Sequence, residues 1–142
     1  MAEYLLGLDY GSKRVGVAVA HVIARLPRPL MTLSSDDTLL QHIKDIIVAE
    51  DVARVVVGVP RGIDGAITDQ SKLCEAFASL LASEINIPVV TVDETLSSVE
   101  AEAYLAKNRT TFTKAEIDEV AAAVILERFI TEHQDDLIGE GN

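Results

Sequence analysis

The sequence predicts an α/β domain in which an antiparallel meander continues into parallel strands, with helices flanking the mixed sheet. Three observations predict it. Two apolar runs near the N-terminus, residues 4–9 and 14–20, are separated by Gly11-Ser12-Lys13, a turn composition that reads as a hairpin. Residues 54–59 (RVVVGV) and 88–93 (PVVTVD) are continuous β-branched runs, the pattern of strands buried on both faces. The 142 residues are 49% hydrophobic but only 4% aromatic, with no Trp, so the core must be built from Val, Ile, Leu and Ala, as in a sheet covered by helices.

The elements follow in order. Residues 30–33 form a short third strand after a loop framed by Pro27 and Pro29. Asp36 or Asp37 caps a helix over residues 38–50, whose Leu39, Leu40, Ile43, Ile46 and Ile47 share one face. The strand at 54–59 stops at Pro60, and the loop RGIDGAIT leads to a helix over about 69–83. After the strand at 88–93, Ser97 and Glu100 make a capping-box pattern that opens a short helix to about Ala106. Residues 107–112 are a basic, polar connection. Thr113 and Glu116 form a second capping box, opening a long helix to about His133. The expected order is β-β-β-α-β-α-β-α-α, one domain over residues 1–133 with an acidic, flexible tail at 134–142 that holds Asp135, Asp136 and Glu140.

Composition excludes several classes. The net charge of −11 disfavours anionic membranes and non-specific coating of nucleic acid, though a local basic patch is compatible with it. The single Cys74 excludes an internal disulfide and a cysteine-based zinc site; beside Leu73 and Phe77 it reads as core. No apolar run approaches ~18 residues, so no membrane span is expected. The N-terminus lacks a basic region and a cleavage site, so the expected compartment is the cytoplasm. His21, His42 and His133 show no ligand spacing, and Gly7 to Lys13 lacks Walker A spacing.

Carboxylates stand where chemistry is expected. Asp9 ends the first strand, Asp93 and Glu94 end the last, and Asp118 lies one turn into the final helix. An acid at the end of a core strand needs solvent, a cation or a hydrogen-bond partner, because burying it unpaired is costly. Converging carboxylates suit Mg2+ or Mn2+, which take hard oxygen ligands. Each acid also has a plain structural reading: Asp9 opens a turn, Asp93 caps a loop, and Asp118 complements the helix dipole. Asp118, however, is followed by Ala121, Ala122, Ile125 and Phe129 on its own side, a small apolar face that belongs against the sheet. Gly7 and Gly16 inside strands mark places where a neighbour comes close. Lys13, Arg14, Arg25, Arg28 and Arg61, with Lys107, Arg109 and Lys114, could rim an acidic centre for phosphates or be ordinary solvated surface. Composition and spacing do not choose between Asp93 and Glu94.

Four blocks together resemble the YqgF family. Leu6-Gly7-Leu8-Asp9-Tyr10-Gly11-Ser12-Lys13-Arg14-Val15-Gly16-Val17-Ala18 looks like its signature. Val56-Val57-Gly58-Val59-Pro60 with Asp64-Gly65 is similar to its middle motif. Val92-Asp93-Glu94-Thr95-Leu96-Ser97-Ser98 with Ala101-Glu102 resembles its acidic motif, and Ile117-Asp118 with Ala121-Ala122 and Ile125-Leu126 resembles its last helix. The resemblance implies an RNase H-like fold with a five-stranded mixed sheet. It implies a divalent-metal-dependent nuclease, acting in 5′-end maturation of the 16S ribosomal RNA precursor or as a Holliday junction resolvase. Asp9, Glu94 and Asp118 would be its catalytic and metal-binding acids, with Mg2+ or Mn2+. Asp93 and Asp64 would support them, and Lys13, Arg14, Arg61, Lys107 and Arg109 would contact nucleic acid. A branched DNA substrate would call for a homodimer.

The chain departs from the family's pattern at three places. Thr95 stands where an Arg is usual, Arg61 where an apolar residue is common, and Ala115 where related resolvases carry another acid. Fewer acids weaken a second metal, so a non-catalytic RNA-binding adaptor is the competing expectation. A third is nucleotide binding, since Gly7-Leu8-Asp9-Tyr10-Gly11 also resembles the phosphate motif of actin-like ATPases, although those proteins use two such domains.

Overall fold

A computed structural model describes residues 3–62, 65–93, 103, 106–107 and 113–133. Strands β1 (Tyr4–Tyr10), β2 (Arg14–His21) and β3 (Arg28–Ser34) form the antiparallel meander. Helix α1 (Leu39–Ala49) leads to β4 (Val52–Val59), α2 (Asp69–Glu84) to β5 (Val89–Asp93), and α3 (Lys114–Glu132) closes the described chain. The five strands lie in the order β3-β2-β1-β4-β5, with β4 parallel to β1 and β5 parallel to β4. The mixed sheet read from the sequence is therefore the one observed.

Strand alternation splits the core in two. Leu6, Leu8, Val15, Val17, Val55 and Val57 face α1 and α2, meeting Ile43, Ile46, Phe77 and Leu81. Leu5, Ala18, Ala20, Val56 and Val92 face α3, meeting Ala122, Ile125, Leu126 and Phe129. Beside them the α3 side of the sheet carries Gly7, Gly16 and Gly58, and at these glycines the helix rides close to the strands. A Cβ on Gly7 would stand 2.9 Å from the carbonyl oxygen of Ala122, and one on Gly58 would strike Ile125.

The start of α3 behaves as its sequence predicts, whereas α1 starts at Leu39 with Thr38, not Asp36 or Asp37, as its cap residue and with no side-chain cap bond. At α3, Thr113 Oγ1 accepts from the Glu116 N–H at 3.1 Å and Glu116 Oε1 accepts from the Thr113 N–H at 3.2 Å. Before α1, Asp36 Oδ1 accepts from the Thr38 N–H at 2.9 Å, although Thr38 itself occupies the cap position. The start of α2 was not foreseen as a box: Thr68 and Ser71 form one, each side chain accepting from the other's backbone N–H.

Three boundaries differ from the sequence reading. Strand β3 begins at Arg28 rather than at Leu30, because Pro29 is accommodated at the sheet edge by a register shift opposite Val17 and Ala18. Strand β4 begins at Val52, where the N–H groups of Glu3 and Tyr4 both donate to the Asp51 carbonyl. Of the short helix expected at 97–106, Ala103 and Ala106 are helical and exposed; its capping box lies outside the described residues, as does the tail at 134–142.

Candidate active site

One line across the sheet organises the site. Asp9 on β1 pairs with Gly16 on β2, and Gly16 pairs with Thr32 on β3. The first turns of α3 lie over that line. A Cβ on Gly16 would overlap the backbone carbonyl of Asp118 and stand 3.0 Å from its Cβ, so the missing side chain is what lets α3 sit there. Directly paired strand positions have Cβ atoms about 5 Å apart, which brings the carboxyl-bearing Cβ atoms of Asp9 and Asp118 within roughly 9 Å of each other. Two short carboxylate side chains can share a cation across that span.

Side chains pin α3 in this seat. Thr32 Oγ1 lies 2.9 Å from the Ala115 carbonyl oxygen and 3.0 Å from Glu119 Oε2, fastening the start of α3 to β3. Arg14 Nε donates to Asp118 Oδ2 at 2.7 Å. Asp118 is largely covered, as its small apolar flank predicts, and Ala121 and Ala122 behind it are fully buried.

The opposite face holds the strand ends from below. Ser71, fully buried, donates from Oγ to the Pro60 carbonyl and so ties the loop after β4 to α2. Gln70 Nε2 donates to the Tyr10 carbonyl at 3.1 Å, next to Asp9, and the Cys74 thiol points to the same oxygen at 3.7 Å. The Tyr10 ring stacks on Phe77 at 4.2 Å between centroids. Gln70, Ser71 and Thr32 were missed by sequence reasoning. Only Ser71 carried a signal, three residues after the capping Thr68.

Burial pushes the Cys74 thiol up to about 11; a hydrogen bond from Gln70 opposes the rise and the nearby charges of Asp9 and Glu75 add to it. An unfolded thiol titrates near 9.0. Above that pH the unfolded chain loses the proton while the folded chain keeps it. The stability from the protonated thiol is thus complete below pH 9 and lost as the pH rises through about 11. Iodoacetamide at pH 8 is expected to leave native Cys74 nearly untouched and to alkylate it readily in urea. Equal rates in the two states would show that the thiol is accessible.

The remaining sequence-predicted residues fall into three groups. Asp93 shares the face of Val59, its partner on β4, away from α3. There Arg61 Nε and Nη2 both reach Asp93 Oδ1 at 3.1 Å, and Nη2 lies 3.5 Å from Glu75 Oε1. The guanidinium groups of Arg14 and Arg61 are thus each engaged by carboxylates. Lys13, in the β1–β2 turn, and Lys107 are exposed. Glu94, Asp64 and Arg109 lie outside the described residues. Among the described residues no three His, Cys, Asp or Glu side chains gather closely enough to hold a metal. The donor chemistry of Asp9 and Asp118, hard carboxylate oxygens, nevertheless fits Mg2+ or Mn2+.

Of the histidines, His21 lies at the end of β2. Its Nδ1 accepts from the N–H groups of Ile23 and Ala24, and its Nε2 is 3.2 Å from Glu3. His133 stacks on Phe129 at the end of α3.

Comparison with known proteins gives consistent results. A family model described as "RuvX: Holliday junction resolvase" matches residues 3–132. A protein of Chloroflexus aurantiacus named "Putative pre-16S rRNA nuclease" is 35% identical over 132 residues, covering 90% of this chain and 86% of that protein. A protein of the same name from Chloroflexus aggregans is 36% identical, covering 90% of this chain and 93% of its own. Among solved structures, Thermus thermophilus RuvC in complex with a Holliday junction substrate is similar with a TM-score of 0.55 and 13% identity, covering 92% of this chain and 95% of that one. The Fowlpox virus resolvase, in complex with Holliday junction DNA, reaches a TM-score of 0.52 at 12% identity, covering 92% and 98%. At such identities the likeness is one of fold, and the fold is that of the RNase H-like resolvases.

Proposed function

The chain belongs to the RuvX family of Holliday junction resolvases, and from that premise we propose that it is a divalent-metal-dependent nuclease that matures the 5′ end of the 16S ribosomal RNA precursor. The observation that carries the reading is the seat of Asp118 over Gly16, the strand partner of Asp9. The names of the relatives favour precursor RNA as the substrate.

Asp9 and Asp118 would hold Mg2+ or Mn2+ together with Glu94. Support for Glu94 over Asp93 is indirect: Asp93 is engaged by Arg61 on the face away from α3. A bound divalent ion activates water and stabilises the leaving oxygen of a phosphodiester. The protein's part is to hold its carboxylates charged and converging at the rim of the sheet. Asp9 is fixed by its pairing with Gly16 on β2, one residue beyond the last pairing of β1 with β4, and Asp118 by the close approach of α3.

With a net charge of −11, contact with nucleic acid must be local and salt-sensitive. Lys13 and Lys107 are exposed, and Lys114 adds a third cation at the start of α3; with Arg109 these would meet phosphates. Asp64 would support the site from the loop after β4. No helix among the described residues is long and apolar enough to cross a membrane, and the proposed compartment is the cytoplasm, where precursor RNA is made. One catalytic domain over residues 1–133, followed by an acidic tail, accommodates this activity.

The second reading is cleavage of branched DNA, favoured by the family's description; it would require two copies to cut two strands. The test offers labelled 16S precursor RNA and a four-way DNA junction in parallel, each with Mn2+ or with EDTA. The expected result is Mn2+-dependent shortening of the RNA at its 5′ end. Preferential cutting of the junction would move the assignment to the second reading. No cutting of either by folded protein would overturn both.

A further inference from the structure

We propose that Arg14 serves the reaction through Asp118, as its positioning residue, and not through the phosphates of the nucleic acid. The proposal rests on the reading of Asp9 and Asp118 as metal-holding carboxylates. Arg14 is the first residue of β2 and lies on the same face as Gly16, Ala18 and Ala20, the face that α3 covers. Its Nε stands 2.7 Å from Asp118 Oδ2, the short distance of a charge-assisted bond.

Both ends of the contact are anchored by backbone. The Gly11 N–H donates to the Arg14 carbonyl at 2.9 Å and closes the turn between β1 and β2, so Arg14 is set relative to the strand end that carries Asp9. Asp118 is set by the overlap that a Cβ on Gly16 would cause. An aspartate near a helix start can turn back to the helix's own N–H groups. The bond to Arg14 holds it on the side of β2 instead.

The guanidinium also places a positive charge beside the site. Asp9 pairs with Gly16, two residues along β2 from Arg14, so Asp9 and Arg14 are diagonal neighbours on one face. Diagonal neighbours stand about 7–8 Å apart. One cation therefore moderates the repulsion between two carboxylates that must both stay charged. Carboxylates that hold metals are usually themselves hydrogen-bonded, and loss of such a partner costs about 10–100-fold in metal affinity or activity.

Calorimetric titration of Mn2+ into wild type, Arg14→Gln, Asp118→Asn and the double variant tests the proposal. Arg14→Gln is expected to weaken Mn2+ binding about tenfold when Asp118 is present and to cause no further loss in Asp118→Asn. On precursor RNA kcat falls correspondingly, whereas RNA affinity measured in EDTA stays unchanged. Arg14→Lys, which keeps the charge without the planar donor, recovers part of the loss. If Arg14→Gln fails to fold by circular dichroism, Arg14→Lys runs the same cycle.

Three results overturn the assignment. An unchanged Mn2+ isotherm with weaker RNA binding and a salt slope smaller by about one marks a phosphate contact. Tighter Mn2+ binding marks a competing cation, and equal losses in both backgrounds mark a general structural role. The isotherm needs no turnover: coupling without any RNA cleavage refutes the nuclease reading alone, while no Mn2+ binding by wild type refutes both.

Discussion

Asp9→Asn is expected to lower cleavage of precursor RNA by roughly a thousandfold or more, with the melting temperature little changed. Asparagine matches aspartate in shape, so β1 keeps its pairing with β2 and β4. What changes is the charge. A carboxylate oxygen that holds a divalent cation supports several kcal/mol of transition-state stabilisation, and about 4 kcal/mol corresponds to three orders of magnitude in rate. Mn2+ affinity falls with the rate, because the neutral amide is a poor ligand for a hard cation. Single-turnover cleavage by purified wild type and variant, with EDTA as the baseline, reads the effect. Equal rates in the two proteins would assign the cutting to a contaminant and remove Asp9 from the chemistry.

Gly16→Ala is expected to have the largest effect on stability, a loss of about 3 kcal/mol or more. The added methyl would meet the backbone carbonyl of Asp118, and backbone cannot rotate aside as a side chain does. Overpacking of a tight core costs about 1–3 kcal/mol when neighbours can adjust, and here the neighbour is the axis of a 19-residue helix. Relief requires α3 to lift from β2, which also opens its contacts with β1 and β4 through Leu126 and Ile125. A domain of this size has about 5–15 kcal/mol in all, so the loss is a large share. Urea unfolding monitored by circular dichroism measures it. The same substitution moves Asp118 away from Asp9, so residual activity in the folded fraction drops too. A change below about 0.5 kcal/mol would show that α3 does not rest on β2 at this position.

Much of the architecture was legible because its signals are local. A hairpin is marked by its turn residues, a buried parallel strand by an unbroken β-branched run, and a helix start by a capping pair. Thr113 and Glu116 announced α3 correctly; β5 ends at Asp93 as its run suggests, and β1 ends at Tyr10, one residue past Asp9. Asp118 was legible for a different reason: an acid among Ala121, Ala122 and Ile125 must lie at the margin of a buried face. Gly7 and Gly16 were recognisable as points of close approach, although the element that approaches was not. The proline loop misled, because a proline is compatible with a loop or with an edge strand, and only the sheet order shows that β3 is an edge.

The fates of the charged side chains were not legible. Arg14 and Asp118 are 104 residues apart in the chain, and Arg61 and Asp93 are 32 apart. Long side chains find partners wherever topology brings an opposite charge, and no local pattern records that. The partner of Asp93 was illegible in the same way, since neighbouring strand residues point to opposite faces and the meaning of each face depends on which helix covers it.

By itself, then, the sequence determined the class of fold and the order of its five strands, and it marked Asp9 and Asp118 as candidate acids, because apolar periodicity, turn chemistry and the cost of burying charge act over a few residues. Only the tertiary structure decided that Gly16 is the seat of α3, that Arg14 turns to Asp118 and that Arg61 turns to Asp93, because these depend on surfaces that meet only after the sheet has assembled.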